Sequence, residues 1–444
     1  MTQQPSFDLG ALADPLEIVP IGAQLDAVVR LPGSKSITNR ALVCAALAAG
    51  TSRLSGALIA DDTEAMLAVL GALGIGTRVI QDGATPVLEI DGCNSVLPSA
   101  SAPIDVRQSG TTARFALPML SLGAHSYNVT AHPQMQARPM EETFAALRSL
   151  GATIEETNSG GHLPASITGA NRSGTITVAG DISSQFLSGL LLSAPCRPDG
   201  LEIHLSSTLV SRPYVDMTIA VMAAFGAKVH VRDERTFIVE GGGYRSVHYE
   251  IEPDASAASY IYGAAAVVGG RATVVGLGSD ALQGDAGFVD VLEQMGVSVA
   301  RSASETTVEM RTGARLVGGE FDFTHISDTA QTLAAISVFA DSPVSIRGIG
   351  FIRRKEIDRI AAIEAELRRA SINVVGDEDG WTIHPGRPVP TTFETYEDHR
   401  MAMSLALIGL REPGFSISGP GCVAKTFPGY WATLELLRRS AHDR

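Results

Sequence analysis

Four glycines frame the chain. Gly74, Gly151, Gly226 and Gly296 recur at an interval of roughly 74 residues. Each closes an apolar helical run and precedes a short β-like one: 66–73 before 77–80, 143–150 before 153–156, 217–225 before 228–231, and 289–295 before 298–300. A fifth copy, 360–369 before 372–375, carries Ala370-Ser371 where the others carry Gly. Glycine suits this place because a helix commonly ends on a residue in the left-handed conformation. At that period the 444 residues hold six copies of one α/β supersecondary unit, each burying a helix face against strands.

A second regularity lies inside the units. Several helical runs open on a polar, hydroxyl-rich turn: residues 34–38, Gln108-Ser109-Gly110-Thr111, Asp181-Ile182-Ser183-Ser184, His325-Ile326-Ser327-Asp328 and Glu397-Asp398-His399. Any one of these is an ordinary N-cap. Repeated by symmetry, they predict helix starts whose free N–H groups and dipoles sum at an anion site. The first start, Gly33-Ser34-Lys35-Ser36 with Arg40, adds full positive charges, and its Ala-rich run over 41–49 is expected to end at Gly50. It is not a nucleotide-binding P-loop, which needs Gly directly before the Lys.

Composition narrows the ligand. The net charge of -14 argues against nucleic acid or an anionic membrane surface as partner. A negatively charged small molecule then requires a local basic cluster, which screening beyond roughly 8 Å permits. Apolar runs such as 41–49 and 401–410 are too short or interrupted to span a bilayer. Residues 1–10 are polar, with no basic-then-apolar signal segment. Cys44, Cys93, Cys196 and Cys422 have no paired spacing, which points to a reducing cytoplasm and to neither a zinc site nor a disulfide framework. Turn residues near Pro32-Gly33 and Glu252-Pro253 mark the expected joints.

The polar clusters supply the chemistry. Asp61-Asp62-Thr63 suits a helix start by its charge alone; its functional reading is orientation of Lys35. Gly110 allows a ligand close to the backbone. Arg138 precedes a Pro at a helix start, and Lys425 lies in an apolar loop. The run from Arg353 to Arg359 is dense in charge, and Ile349, Phe351 and Ile352 imply a strand feeding into it. In sum there are cations (Lys35, Arg40, Arg138, Lys355, Arg359, Arg400, Lys425), two acids (Asp328, Glu356) and neutral hydrogen-bonders (Ser183, Ser184, Gln185, Ser211). That inventory suits two anionic substrates, at least one phosphorylated, with acid/base chemistry between them. No metal-ligand spacing is present.

These segments together resemble the 5-enolpyruvylshikimate-3-phosphate synthase (3-phosphoshikimate 1-carboxyvinyltransferase) family over nearly the whole chain. The likeness runs through Pro32-Gly33-Ser34-Lys35-Ser36, Ser109-Gly110-Thr111, Arg138-Pro139, Ser183-Ser184-Gln185-Phe186 and Asp254-Ala255-Ser256. It continues through Gln283-Gly284-Asp285, Asp328, Lys355-Glu356, Asp358-Arg359, Asp398-His399-Arg400 and Ala424-Lys425-Thr426-Phe427-Pro428. The sister family acting on UDP-N-acetylglucosamine is disfavoured, because no Cys stands within 131–138.

The resemblance implies an α/β protein, a two-domain inverse α/β barrel with each domain built from three repeated units. One domain would cover 34–252 and the other 1–33 plus 253–444, with the site in the cleft between them. The implied reaction moves the enolpyruvyl group of phosphoenolpyruvate to the 5-hydroxyl of shikimate 3-phosphate. Lys35, Ser36, Arg40, Ser183, Ser184, Gln185, Ser211, Asp328 and Lys355 would hold shikimate 3-phosphate. Lys35, Gly110, Arg138, Gln185, Arg359, Arg400 and Lys425 would hold phosphoenolpyruvate. Asp328, Glu356 and Lys35 would be catalytic. No cofactor or metal is implied, and the partners are the two small molecules, with no nucleic acid, no membrane and a monomeric chain.

Two positions depart from the pattern. Gln134 stands where many relatives carry Arg. Phe351 stands where many carry an Asn that binds the acceptor's phosphate, a bond Phe cannot make. The competing readings are a paralogous enolpyruvyl transferase with another phosphorylated or cyclic alcohol, and a non-catalytic binder of the same fold.

Overall fold

The structure, a computed structural model, describes residues 9–82, 85–158 and 160–442. Residues 1–8, most of the polar N-terminal stretch, lie outside the described residues, as do 443 and 444 at the end of the second expected domain. The chain divides into two compact units, one of Pro32–Glu252 and one of the described residues up to Leu31 together with those from Pro253 onward.

Within Pro32–Glu252 there are three sheets of one pattern. A first strand runs parallel to a second, and a hairpin then pairs antiparallel with the second. Gly174–Val178 lies parallel to Leu201–Leu205, which pairs antiparallel with Thr236–Val239, itself antiparallel to Val229–Asp233. Ile104–Asp105, Ser126–Thr130, Ala165–Thr168 and Thr153–Glu156 repeat the order. In the remaining sheet the first strand comes from the far end of the unit, where Tyr244–Arg245 and His248–Glu250 run parallel to Ala48–Ser55.

The other unit repeats the arrangement. Leu25–Arg30 lies parallel to Gly270–Val275, and Gly319–Asp322 to Val344–Arg347. In its last sheet Leu16–Glu17 supplies the strand antiparallel to Ser416–Ile417, which runs parallel to Thr392–Phe393. The sheets do not close into barrels. They stand as separate faces around helices, and strands such as Leu25–Arg30 are buried on alternate residues: Leu25, Ala27 and Val29 point inward while Val28 is 68% exposed.

The two helices of each repeat differ in kind. One is buried nearly all round and rich in small residues: Lys35–Leu47 except Ser36, Gly110–Leu120 throughout, Ser184–Ser193 except Gln185. Ala255–Val268, Ala330–Ser337 and His399–Arg411 fill the same place in the other unit. Close packing demands small residues here. A Cβ at Gly189 would stand 2.1 Å from the carbonyl oxygen of Arg114 on the adjacent helix. The second helix is amphipathic, as in Arg359–Arg369, where Arg359, Ile360, Ala362, Ile363, Glu366 and Leu367 form the buried stripe.

The second helices end alike. Gly74, Gly151, Gly226 and Gly296 have φ of +71°, +89°, +90° and +91°, and Ser371 takes the same place at +61°. In these five copies the N–H one residue further on returns to a carbonyl five residues back at 3.0 Å: Ile75 to Leu70, Ala152 to Leu147, Ala227 to Met222, Val297 to Leu292, Ile372 to Leu367. These are Schellman caps.

Two expectations are corrected. The first buried helix ends at Leu47, and Gly50 does not cap it. Ala48, at φ -68° and ψ 160°, is already extended, because Ala48–Ser55 is drawn into a sheet between Thr85–Cys93 and the returning strands. No strand leads directly into Arg353. Val344–Arg347 ends before Gly348, which turns at φ +75°, and Gly350–Arg354 is a 3-10 helix. The Asp379 carboxylate accepts from the N–H groups of Gly348 and Gly350 and pins that bend.

The caps generate a paired prediction. A Cβ at Gly74 meets no atom within 4 Å, so Gly74→Ala tests the left-handed backbone alone. It is expected to destabilise the protein by about 1 kcal/mol, and Ser371→Gly to stabilise it by about 1 kcal/mol. Urea unfolding midpoints read both; equal midpoints for the two variants would contradict the common cap geometry.

Candidate active site

In Pro32–Glu252 the expected groups gather at three buried helix starts. The Ser34 hydroxyl accepts from the Ile37 N–H at 3.4 Å, Ser109 from Thr112 at 3.2 Å, and Ser183 from Gln185 at 3.3 Å. Lys35 and Asp62 are both buried, with Nζ 3.2 Å from the carboxylate. That geometry matches the orienting reading of Asp62. Ser36 is half-buried beside it.

At Gly110 two guanidinium groups press on the backbone. A Cβ there would lie 2.6 Å from Arg138 Nη1 and 2.8 Å from Arg114 Nη1. Two cations at one helix start make a strongly anion-attracting place. Arg114, one turn into the same helix, was given no role by the sequence. It donates to Gln185 Oε1 at 2.9 Å and lies over the Phe186 ring at 4.9 Å, while Gln185 Nε2 donates to the Thr111 hydroxyl at 3.2 Å. Ser184 is buried, and Ser211 is buried with a left-handed backbone at φ +53° and no capping bond from its side chain. A non-Gly residue held there is the kind of strain that accumulates at functional sites.

Arg40 is set deeper. It donates to the Thr218 hydroxyl at 2.7 Å, the Ser36 carbonyl at 2.8 Å, the Tyr214 carbonyl at 3.1 Å and the Ser188 hydroxyl at 3.4 Å. Burial lowers its pKa to about 10. Direct ligand contact from Arg40 requires release of some of these bonds.

In the other unit the candidates form one charged network. Asp328 lies on the 3-10 turn Ser327–Thr329 ahead of Ala330–Ser337. Arg400 Nη2 donates to its Oδ2 at 2.7 Å, Arg359 Nη1 to its Oδ1 at 3.5 Å, and Lys355 Nζ stands 4.0 Å from that oxygen. Arg359, 1% exposed, also donates to Asp398 at 2.8 Å and Glu356 at 2.8 Å. Burial alone pulls its pKa down, but the Asp398, Glu356 and Asp328 carboxylates outweigh this and hold it above the ordinary arginine value. Asp398 does double duty, since it also accepts from the Arg400 N–H at 2.8 Å as an N-cap.

The dense charged run therefore sorts into two faces. Lys355, Glu356 and Arg359 join the network, whereas Arg353 pairs with Asp358 at 2.7 Å nearer the solvent. Phe351 presents its ring to the Lys355 ammonium at 6.0 Å. Lys425 is buried at the end of the 3-10 helix Pro420–Lys425, which packs against His399–Arg411. Ser256 and Tyr260 were not foreseen; their hydroxyls each stand 3.4 Å from Arg400. Among the described residues no group of His, Cys, Asp and Glu is placed to hold a metal ion, and no helix is long and apolar enough to cross a membrane.

This network predicts its own fragility. Asp398→Ala leaves the buried Arg359 guanidinium short of a fully buried counter-charge and should destabilise the protein by about 3–5 kcal/mol. Denaturant unfolding of the variant checks this; a loss below about 1 kcal/mol, the range of exposed pairs, would contradict it.

Comparison with known proteins identifies the family. A family model described as EPSP synthase (3-phosphoshikimate 1-carboxyvinyltransferase) matches residues 19–434. A 3-phosphoshikimate 1-carboxyvinyltransferase of Nostoc punctiforme is 42% identical over 421 residues, covering 94% of this chain and 98% of that relative. One from a Nostoc species is 41% identical over 420 residues, with the same coverage. Among solved structures, an EPSP synthase from Acinetobacter baumannii superposes with a TM-score of 0.78 at 25% identity, over 96% of this chain and 97% of that one. The chain belongs to the EPSP synthase (3-phosphoshikimate 1-carboxyvinyltransferase) family.

Proposed function

We propose that the chain transfers the enolpyruvyl group of phosphoenolpyruvate to the 5-hydroxyl of shikimate 3-phosphate and releases phosphate. It thereby serves aromatic amino-acid biosynthesis, as a cytoplasmic monomer. The observation that carries the chemical part is the grouping at Asp328. Its two oxygens are held among Arg400, Arg359 and Lys355, with the Glu356 carboxylate on the same Arg359 guanidinium. An acceptor of protons, a second carboxyl group and three cations within one network suit proton transfer beside developing negative charge. Family membership supports the choice of substrates.

In this reading Asp328 takes the proton of the 5-hydroxyl or orients that group. The hydroxyl oxygen attacks C2 of phosphoenolpyruvate as C3 gains a proton from Glu356 or Lys35. The tetrahedral intermediate then loses a C3 proton, its C2–O bond to phosphate breaks, and the double bond reforms. Arg138, Arg359, Arg400, Lys425, Gln185 and the Gly110 backbone hold phosphoenolpyruvate, and Lys35 serves both substrates. Ser36, Ser183, Ser184, Gln185, Ser211 and Lys355 hold the acceptor with Asp328, while Arg40 supports them from beneath through the Ser36 carbonyl.

Phe351 favours weighing a second reading, a paralogous transferase with a different phosphorylated or cyclic alcohol. Its ring faces the Lys355 ammonium and has no hydrogen bond to give a phosphate. Steady-state kinetics decide between them. Saturation with shikimate 3-phosphate below the millimolar range supports the synthase; saturation only at millimolar levels supports the paralogue. Asp328→Ala and Glu356→Ala should each lower turnover by about 10²–10⁴-fold. Turnover near wild type in both variants would remove the mechanism.

A further inference from the structure

A buried carboxyl group stands directly behind the Arg400–Asp328 pair. Asp285 sits on the 3-10 turn Gly284–Gly287 and is 3% exposed. Its Oδ2 accepts from the Ser256 hydroxyl. The Ser256 oxygen in turn lies 3.4 Å from Arg400 Nη2, the same nitrogen that donates to Asp328 at 2.7 Å. The turn is anchored in place. Gln283 Oε1 accepts from the Ala255 N–H at 3.0 Å, and its Nε2 donates to the Pro253 carbonyl at 2.7 Å. Capping of Ala255–Val268 does not require Asp285, because Asp254 already accepts from the Ala257 N–H at 2.9 Å. A carboxyl group has thus been placed in the interior, at the cost of desolvation, where its Oδ2 bond leads to Arg400 through a single hydroxyl.

We propose that Asp285 is a positioning residue which, through Ser256, sets how much of the Arg400 charge is offered to the anionic substrate. This rests on the reading that Arg400 holds phosphoenolpyruvate. The charges that act on Asp285 come from Asp254, the N-cap of Ala255–Val268, from Asp328 on the neighbouring 3-10 turn, and from Arg400 on His399–Arg411. Asp290 on the following helix pairs with Arg301.

Burial first, and then the Asp328 charge, push the Asp285 carboxyl up to about 7, with Arg400 and the Ser256 bond opposing. Below that pH the Asp285 carboxyl is neutral, and Asp328 is the carboxylate bonded to Arg400 Nη2. Above it, a second negative charge competes for the same guanidinium. The KM for phosphoenolpyruvate should therefore rise with pH across this window. The linked stability effect has the same sign. An acid whose pKa is raised on folding is destabilising once ionised, so folded stability falls as pH rises from the unfolded value, about 3.9, towards 7.

The test is the pH dependence of KM for phosphoenolpyruvate in wild type, Asp285→Asn and Ser256→Ala. Asn keeps an oxygen acceptor for the Ser256 hydroxyl, which favours folding of that variant. Between pH 6 and 8 the wild-type KM is expected to rise about three- to tenfold more than that of Asp285→Asn, with Ser256→Ala flattened in the same way. In parallel, the melting temperature of Asp285→Asn minus that of wild type should grow from pH 4 to pH 7. Parallel KM profiles in wild type and Asp285→Asn, with wild-type transfer intact, would overturn the role of Asp285 alone. Absence of enolpyruvyl transfer in wild type would overturn the functional reading beneath it.

Discussion

A guanidinium shut away from water needs either carboxylates or a full set of neutral acceptors, and this chain uses both solutions. Arg359 takes the first. Asp398 and Glu356 hold it at 2.8 Å each, and their combined charge reverses the effect of burial on its pKa. The consequence is positional. Arg359 opens its helix, Asp398 caps the one carrying Arg400, and Glu356 lies in the turn ahead of Arg359, so one cation ties these segments to one another. Asp328 and Lys355 are placed by what remains of the same network. Arg40 takes the second solution with hydroxyls and carbonyls, and there burial prevails.

The repeat explains why such charges are tolerable inside. Each unit buries three helices almost completely, and a buried helix start exposes N–H groups that need anionic or hydroxyl partners. Ser34, Ser109, Ser183, Asp254 and Asp398 satisfy them with their own side chains. Lys35, Arg114, Gln185, Ser256 and Arg400 all follow within the first two turns of those helices. Functional groups and caps therefore share the same short stretches, and the sheets outside need only supply alternating apolar faces. Within each unit the fold is a means of bringing helix starts together from distant parts of the chain.

Much of this was legible in the residues. Period, C-capping glycines and the polar helix starts follow from local backbone chemistry, and a period-74 pattern survives in the letters because each Gly answers a steric demand. Ser371 shows the limit of that logic, since the geometry persists without the glycine. Four features were not legible for physical reasons. Gly50 looked like a cap because its helix ends by pairing with strands about 45 and 200 positions away. Ile349, Phe351 and Ile352 mimic strand spacing, while Gly348 and Asp379 decide the bend. Asp285 lies 29 positions from Ser256, and nothing local announces their bond. The completion of the last sheet by Leu16–Glu17 is likewise a matter of tertiary pairing.

On this reading the buried cations and the Asp328 and Glu356 acids move an enolpyruvyl group and do more than bind two anions. Phosphorus NMR of the wild-type protein mixed with phosphoenolpyruvate and shikimate 3-phosphate asks this most directly. The account predicts that inorganic phosphate and a new phosphomonoester appear together in equal amounts, and only when both substrates are present. Line broadening or shifts from binding, with no inorganic phosphate formed, would contradict it.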